Sequence, residues 1–253
     1  MDIRFDNKVA LVTGASSGIG KSTAIEFAKS GADVLVHYNS NKSGADEVVS
    51  QIKEMGRKAV AVGGDLALKE NVDHLFATAL KEFGVIDILV NNAGTLVERR
   101  SIEAMDEDLW DKVMDINLKS AYMCSSAVIP IMKKKGYGRI INVTSIAARN
   151  GGGPGAGHYS AAKAGVLTLT KSLAKELAGT GILVNGVAPG VITTPYHDQY
   201  STKEARKGFA NNTPLKREGT PEEVAYGILF LASDYASFII GETLEINGGL
   251  LMD

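Results

Sequence analysis

The chain has one cysteine, Cys124, in 253 residues. An internal disulfide and a cysteine-based metal site are thereby excluded, no metal is expected, and the count suits a reducing cytoplasm. Long apolar runs are missing too: no stretch approaches the roughly 18 residues a spanning helix needs, and Met1 to Lys8 contain no apolar segment of the secretory type. The expectation is a cytoplasmic protein with no membrane partner. Neither charge dominates, since 27 Lys+Arg stand against 29 Asp+Glu for a net charge of −2. No basic block stands out beyond Lys133 to Lys135, so the electrostatic footprint of nucleic-acid binding is absent. Repeats, low-complexity tracts and linkers are also missing. With 45% hydrophobic and 22% charged residues, the chain can build a sizeable core, which excludes disorder. Glycine is what it has in excess: 28 residues, about 11% against a usual ~7%.

Short β-branched runs alternate with longer stretches of helical periodicity, the pattern of βαβ units and an α/β fold with a parallel sheet covered on both faces. Seven strands are predicted, at Val9 to Thr13, Val34 to His37, Ala59 to Val62, Ile86 to Val90, Ile140 to Val143, Leu183 to Val187 and Thr243 to Ile246. One domain is expected to take in the whole of 1–253. Ile19, Ala24, Phe27 and Ala28 support a first helix ending near Gly31. A later helix starts at Thr220-Pro221-Glu222-Glu223, where threonine caps and Glu223 reaches back. The stretch 194–219, polar and interrupted by Pro195 and Pro214, reads as irregular and as a substrate lid.

The first strand runs straight into Gly14-Ala15-Ser16-Ser17-Gly18-Ile19-Gly20, a G-x-x-x-G-x-G turn opening a helix. Such a turn brings backbone close to a pyrophosphate and presents the helix N-terminus to it, although a glycine-rich turn also serves helix–strand packing alone. Where dinucleotide folds place an acid at the end of the second strand, this chain reads His37-Tyr38-Asn39-Ser40-Asn41-Lys42. Asp33 sits at the wrong end of that strand to substitute. With no carboxylate to repel a 2′-phosphate, and with Asn39, Ser40 and Lys42 able to bind one, NADP(H) is favoured and NAD(H) remains possible. Further on, Tyr159 and Lys163 are spaced i, i+4 on one helix face. A cation there stabilises phenolate and suits the tyrosine to acid/base work near neutral pH.

Together, Thr13 to Gly20, Asn91-Asn92-Ala93-Gly94, Asn117, Ser145, Tyr159 with Lys163, and Pro189-Gly190 resemble the short-chain dehydrogenase/reductase family over almost the whole chain. The resemblance implies a single doubly wound Rossmann domain, usually a homotetramer, that moves hydride between a nicotinamide and a carbonyl or secondary alcohol. Tyr159 would be the general acid or base, Ser145 would bind the substrate oxygen, Lys163 the nicotinamide ribose, and Asn117 would complete a proton relay. For the cofactor, Gly14, Ser16, Ser17, Gly18, Ile19 and Gly20 would surround the pyrophosphate, and Tyr38, Asn39 and Ser40 the adenosine ribose. Asp65 and Leu66 would meet adenine, Asn91, Ala93 and Gly94 would flank the ribose and sheet centre, and Pro189, Gly190, Ile192 and Thr194 would fix the carboxamide.

There are departures from the family pattern. Ser145 and Tyr159 are one residue further apart than in much of the family, and the insert Asn150 to Pro154 is glycine-rich, which points to an altered pocket rim. Thr144 offers a neighbouring hydroxyl. His158 and His197 are read as structural or solvated, and Cys124 as packing. Overall the chain most resembles bacterial 3-oxoacyl-[acyl-carrier-protein] reductases. Yet Gly136 and Thr180 stand where those place arginines for an acyl carrier protein. The polar lid residues Tyr196, His197, Asp198, Gln199 and Tyr200 suit a hydroxylated substrate, so a sugar, sugar-acid or polyol dehydrogenase is the alternative.

Overall fold

Aliphatic runs become strands here because helices bury them from both sides. The computed structural model describes residues 2–195, 200 and 202–252. In it β1 (Val9–Val12), β2 (Asp33–Tyr38), β3 (Ala59–Gly63), β4 (Ile88–Asn91), β5 (Gly138–Val143), β6 (Ile182–Pro189) and β7 (Thr243–Ile246) form one parallel sheet. Its order is β3-β2-β1-β4-β5-β6-β7, the doubly wound arrangement. Alternate side chains leave the sheet on opposite faces. Ala10 and Val12 of β1 enter a core with Phe27 of α1 (Gly18–Lys29), Val48 of α2 (Lys42–Glu54) and Ile228 of α9 (Pro221–Ala232). Leu11 enters the other, with Leu75 of α3 (Lys69–Phe83), Val128 of α5 (Ser120–Lys135) and Leu173 of α7 (Gly157–Glu176).

The predicted strands all form, with shifted ends. β4 starts at Ile88, not Ile86, because the buried Asp87 carboxylate takes the Val9 N–H at 3.0 Å and pairs with Lys135. The capping box at Thr220 forms as predicted: its hydroxyl accepts from Glu223 N–H, and the Glu223 carboxylate accepts from Thr220 N–H at 2.8 Å. The 194–219 stretch departs from expectation. It holds a helix, α8 (Lys203–Asn212), whose sparse apolar residues gave no periodicity to detect. Its base is closed by a bridge between Ile192 and Gly219, and Arg206 of α8 grips Glu218 through two bonds of 2.8 and 2.6 Å. Tyr196, His197, Asp198 and Gln199 lie outside the described residues.

Between α4 (Glu107–Met114) and α5 the chain makes one π-helical turn, Asp115–Lys119, centred on Asn117. Short α6 (Ala147–Asn150) follows β5. Strand order reverses between β1 and β4, so the loops after β1, β4, β5 and β6 meet above their carboxyl ends, where open α/β sheets bind ligands.

Candidate active site

Those loops enclose a cleft of about 740 Å³ that runs from the β1–α1 turn to α8. Its walls include Gly14, Ser16, Ser17, Gly18, Ile19, Asn39, Ser40, Asp65, Leu66, Ala93, Gly94, Ser145, Tyr159, Lys163, Pro189, Gly190, Ile192 and Thr194, all singled out from the sequence. At the glycine turn the backbone does what a side chain would prevent. Gly14 has φ +62°, and a Cβ on Gly20 would strike the Gly14 carbonyl oxygen, so α1 starts tight against the loop. No side chain caps the α1 N-terminus, and no acid stands in its first turn, so its N–H groups are open to an anion.

Behind the turn, a network outside the sequence reading sets its shape. Thr13 Oγ1 accepts the N–H groups of Asn92 and Ala93 at 2.9 Å each, and the Asn92 amide donates to the carbonyls of Thr13 and Gly14 at 2.8 and 3.1 Å. His37, which also lines the cleft, accepts the Gly14 N–H on Nδ1 at 3.1 Å and donates from Nε2 to the Gly64 carbonyl at 2.8 Å. Burial lowers its pKa from the usual 6.5, consistent with a neutral ring.

At the other end, Lys163 is buried and donates to the Val143 carbonyl at 2.9 Å. Its Nζ lies 5.8 Å from the centre of the Tyr159 ring. Burial pushes the ammonium down to about 8, so at neutral pH it still carries its charge. Asn117 sits behind the wall: its Nδ2 donates to Thr95 and Val113 carbonyls at 2.8 and 2.9 Å, and its buried Oδ1 has no partner among the described residues. Asn117 Oδ1 and Lys163 Nζ converge on Gly94, where a Cβ would stand 2.5 and 2.9 Å from them. Of the two adjacent hydroxyls, Thr144 is buried, whereas Ser145 Oγ accepts the Ala147 N–H at 3.1 Å and keeps its proton to donate.

Arrangement and sequence likeness agree. A family model described as enoyl-(acyl carrier protein) reductase matches residues 14–251. The chain belongs to the short-chain dehydrogenase/reductase family. It is 45% identical over 246 residues to a 3-oxoacyl-[acyl-carrier-protein] reductase of Synechocystis sp., covering 97% of each chain. A reductase of the same name from Thermotoga maritima is 40% identical, with 99% of this chain and all of the relative covered. Among solved structures, a 7α-hydroxysteroid dehydrogenase complexed with NADH and 7-oxo glycochenodeoxycholic acid superposes with a TM-score of 0.93 at 35% identity. The match covers 98% of this chain and 96% of that one.

Within this short-chain dehydrogenase/reductase, some residues named from sequence stand back from the cleft. Asn91 is buried, its amide bonded to Asn142 at 2.8 Å and Ser125 at 3.0 Å, so it ties β4 to β5 and α5. Tyr38 packs on Gly63. Lys42 pairs with Asp46 at 2.6 Å on the exposed face of α2, and Asn41 lines the cleft instead. His158 is structural, fully buried with Nε2 3.1 Å from the Glu98 carbonyl. Cys124 is buried, and desolvation pushes its thiol up to about 12, as befits packing. Asn150 and Gly152 of the glycine-rich insert line the rim, as expected, whereas Arg99 beside them was missed. The only hint of Arg99 was that lengthened insert, whose Pro154 carbonyl it meets.

Proposed function

We propose that this protein is an NADP(H)-preferring oxidoreductase that reduces a carbonyl, by best fit the ketone of a 3-oxoacyl thioester. The convergence of Tyr159, Ser145 and Lys163 in one cleft with a phosphate cradle carries this reading. The cradle fits a dinucleotide: uncapped N–H groups at α1 for the pyrophosphate, Asn39 and Ser40 for the adenosine ribose, Asp65 and Leu66 for adenine, and Pro189, Gly190, Ile192 and Thr194 for the carboxamide. When bound, the nicotinamide supplies or accepts the hydride. Ser145 donates to the substrate oxygen and holds it before Tyr159, whose hydroxyl gives its proton to that oxygen as the C–H bond forms. The Lys163 ammonium binds the ribose hydroxyls and favours the phenolate left behind. Asn117, whose Oδ1 has no partner among the described residues, belongs to the path that returns a proton.

The preference for NADP(H) over NAD(H) rests on the absence of a carboxylate at the end of β2. Reduction of a thioester carried by an acyl carrier protein is the natural extension from the relatives' names. Residues 194–219 act as the lid, within one domain spanning 1–253. The exposed Phe238, Leu244 and Tyr226 near β7 suit a homotetramer contact, and a cytoplasmic location suits the single reduced cysteine. Among the described residues no helix is long and apolar enough to cross a membrane.

A second reading, an oxo-sugar acid or polyol substrate, is favoured by the polar rim of Arg99, Asn150 and Asn212, and by Gly136 and Thr180 where carrier-binding arginines were expected. Oxidation of NADPH and NADH is to be followed with a short 3-oxoacyl thioester and with an oxo-sugar acid in parallel. Faster turnover of the thioester supports the first reading, preference for the sugar acid replaces it with the second, and inertness toward a broad ketone panel sinks both.

A further inference from the structure

Two adjacent arginines meet opposite fates in the β4–α4 connection. Arg100 is neutralised by Glu98 at 2.7 Å and by Asp106. Arg99 meets no carboxylate among the described residues. Its Nε donates to the Tyr200 carbonyl at 3.1 Å and its Nη1 to the Pro154 carbonyl at 3.0 Å. Two neutral acceptors therefore orient the guanidinium and, among the described residues, leave its charge uncompensated and Nη2 with both hydrogens to donate.

The anchor is the lengthened glycine-rich insert. Arg100 N–H donates to the Gly155 carbonyl at 3.0 Å, and a Cβ on Gly155 would stand 3.2 Å from that of Arg99. Arg99 thus lines the same cleft as Ser145 and Tyr159, at the rim where the insert and Tyr200 meet. The phosphate cradle belongs to a different loop, after β1, so this cation is not needed there.

We propose that Arg99 is the anion receptor of the substrate pocket, and that the substrate is a carbonyl compound bearing a carboxylate, which Arg99 holds while the carbonyl meets Ser145 and Tyr159. A planar guanidinium matches a carboxylate with parallel N–H bonds. The inference rests on the cleft being a carbonyl-reducing site, and within that reading it favours the oxo-sugar acid over the acyl thioester. A phosphate on a thioester's pantetheine arm shares the anionic chemistry and forms a separate arm of the test.

Steady-state NADPH oxidation is measured for wild type, Arg99→Gln and Arg99→Lys with two matched pairs: a carboxy ketone and its methyl ester, and a 3-oxoacyl thioester of coenzyme A and of N-acetylcysteamine. Wild type should favour the acid over its ester at least tenfold in kcat/KM. Arg99→Gln should erase that ratio, and Arg99→Lys restore part of it. Equal losses on acid and ester would make Arg99 a loop brace and overturn the proposal. A change confined to the coenzyme A pair would shift the anion to phosphate and overturn the carboxylate assignment. Independently of turnover, the corresponding hydroxy acid is titrated calorimetrically into the NADP⁺ complex, where Arg99→Gln should weaken binding at least tenfold. Equal or absent binding in both proteins overturns the proposal. Arg99-dependent binding with no NADPH oxidation on any pair would instead sink the reductase reading and leave the anion site standing.

Discussion

The ring of His37 accepts the backbone N–H of Gly14 at 3.1 Å, so a side chain on β2 holds the turn that opens α1. That bond needs an unprotonated Nδ1. Burial sets the folded pKa below the ordinary 6.5, so as pH falls below 6.5 the unfolded chain takes up protons first and stability is lost. Relative to His37→Asn, the wild-type protein should lose stability between about pH 7.5 and 5, read as a fall in melting temperature that the variant does not share. Parallel melting curves for the two proteins would refute this.

Lys163 titrates in the opposite part of the scale. Its pKa is about 8 in the fold and 10.5 in the exposed chain. Unfolded chains therefore bind more protons between those values, and stability rises with pH across that window. Measured by denaturant unfolding without cofactor, wild type should gain on the order of 3 kcal/mol over Lys163→Met from pH 7.5 to 10.5. A difference independent of pH would show that the lysine is not desolvated.

Removing the Tyr159 hydroxyl takes away the proposed proton donor. Tyr159→Phe should lose about 10² to 10⁴ in kcat while binding NADPH within about twofold of wild type. Near-normal turnover would reassign the acid.

Gly94 faces two buried polar groups. A methyl there must displace Asn117 Oδ1 or Lys163 Nζ, so Gly94→Ala should cost about 1–3 kcal/mol of stability and slow turnover tenfold or more. Unchanged kcat and melting temperature would mean that the pocket yields freely.

Asn39 stands where a carboxylate would repel a 2′-phosphate. Asn39→Asp should weaken NADPH binding at least tenfold and improve NADH binding, as calorimetry would show. An unchanged preference would place cofactor choice elsewhere.

Much of this was legible in the chain because it is local. Buried parallel strands read as aliphatic runs, the G-x-x-x-G-x-G turn is contiguous, and Tyr159 and Lys163 share a helix face by spacing alone. Helix α8 was not legible, because a helix with Phe209 as its one large apolar residue carries no amphipathic stripe. Lys42 pairs across one helical turn with Asp46, a contact its i, i+4 spacing already contained.

The sequence by itself determined the α/β class, the strand positions and the family, all from patterns within a few turns of chain. Only the tertiary structure decided that His37 shapes the glycine turn, that Asn117 turns its buried Oδ1 toward Gly94, and that Arg99 rather than Arg100 faces the cleft. Those outcomes depend on bonds between distant segments, such as Arg99 with Pro154 55 residues away and with Tyr200 101 residues away. Two arginines side by side have the same local chemistry, and only the packed fold determines which one meets a carboxylate.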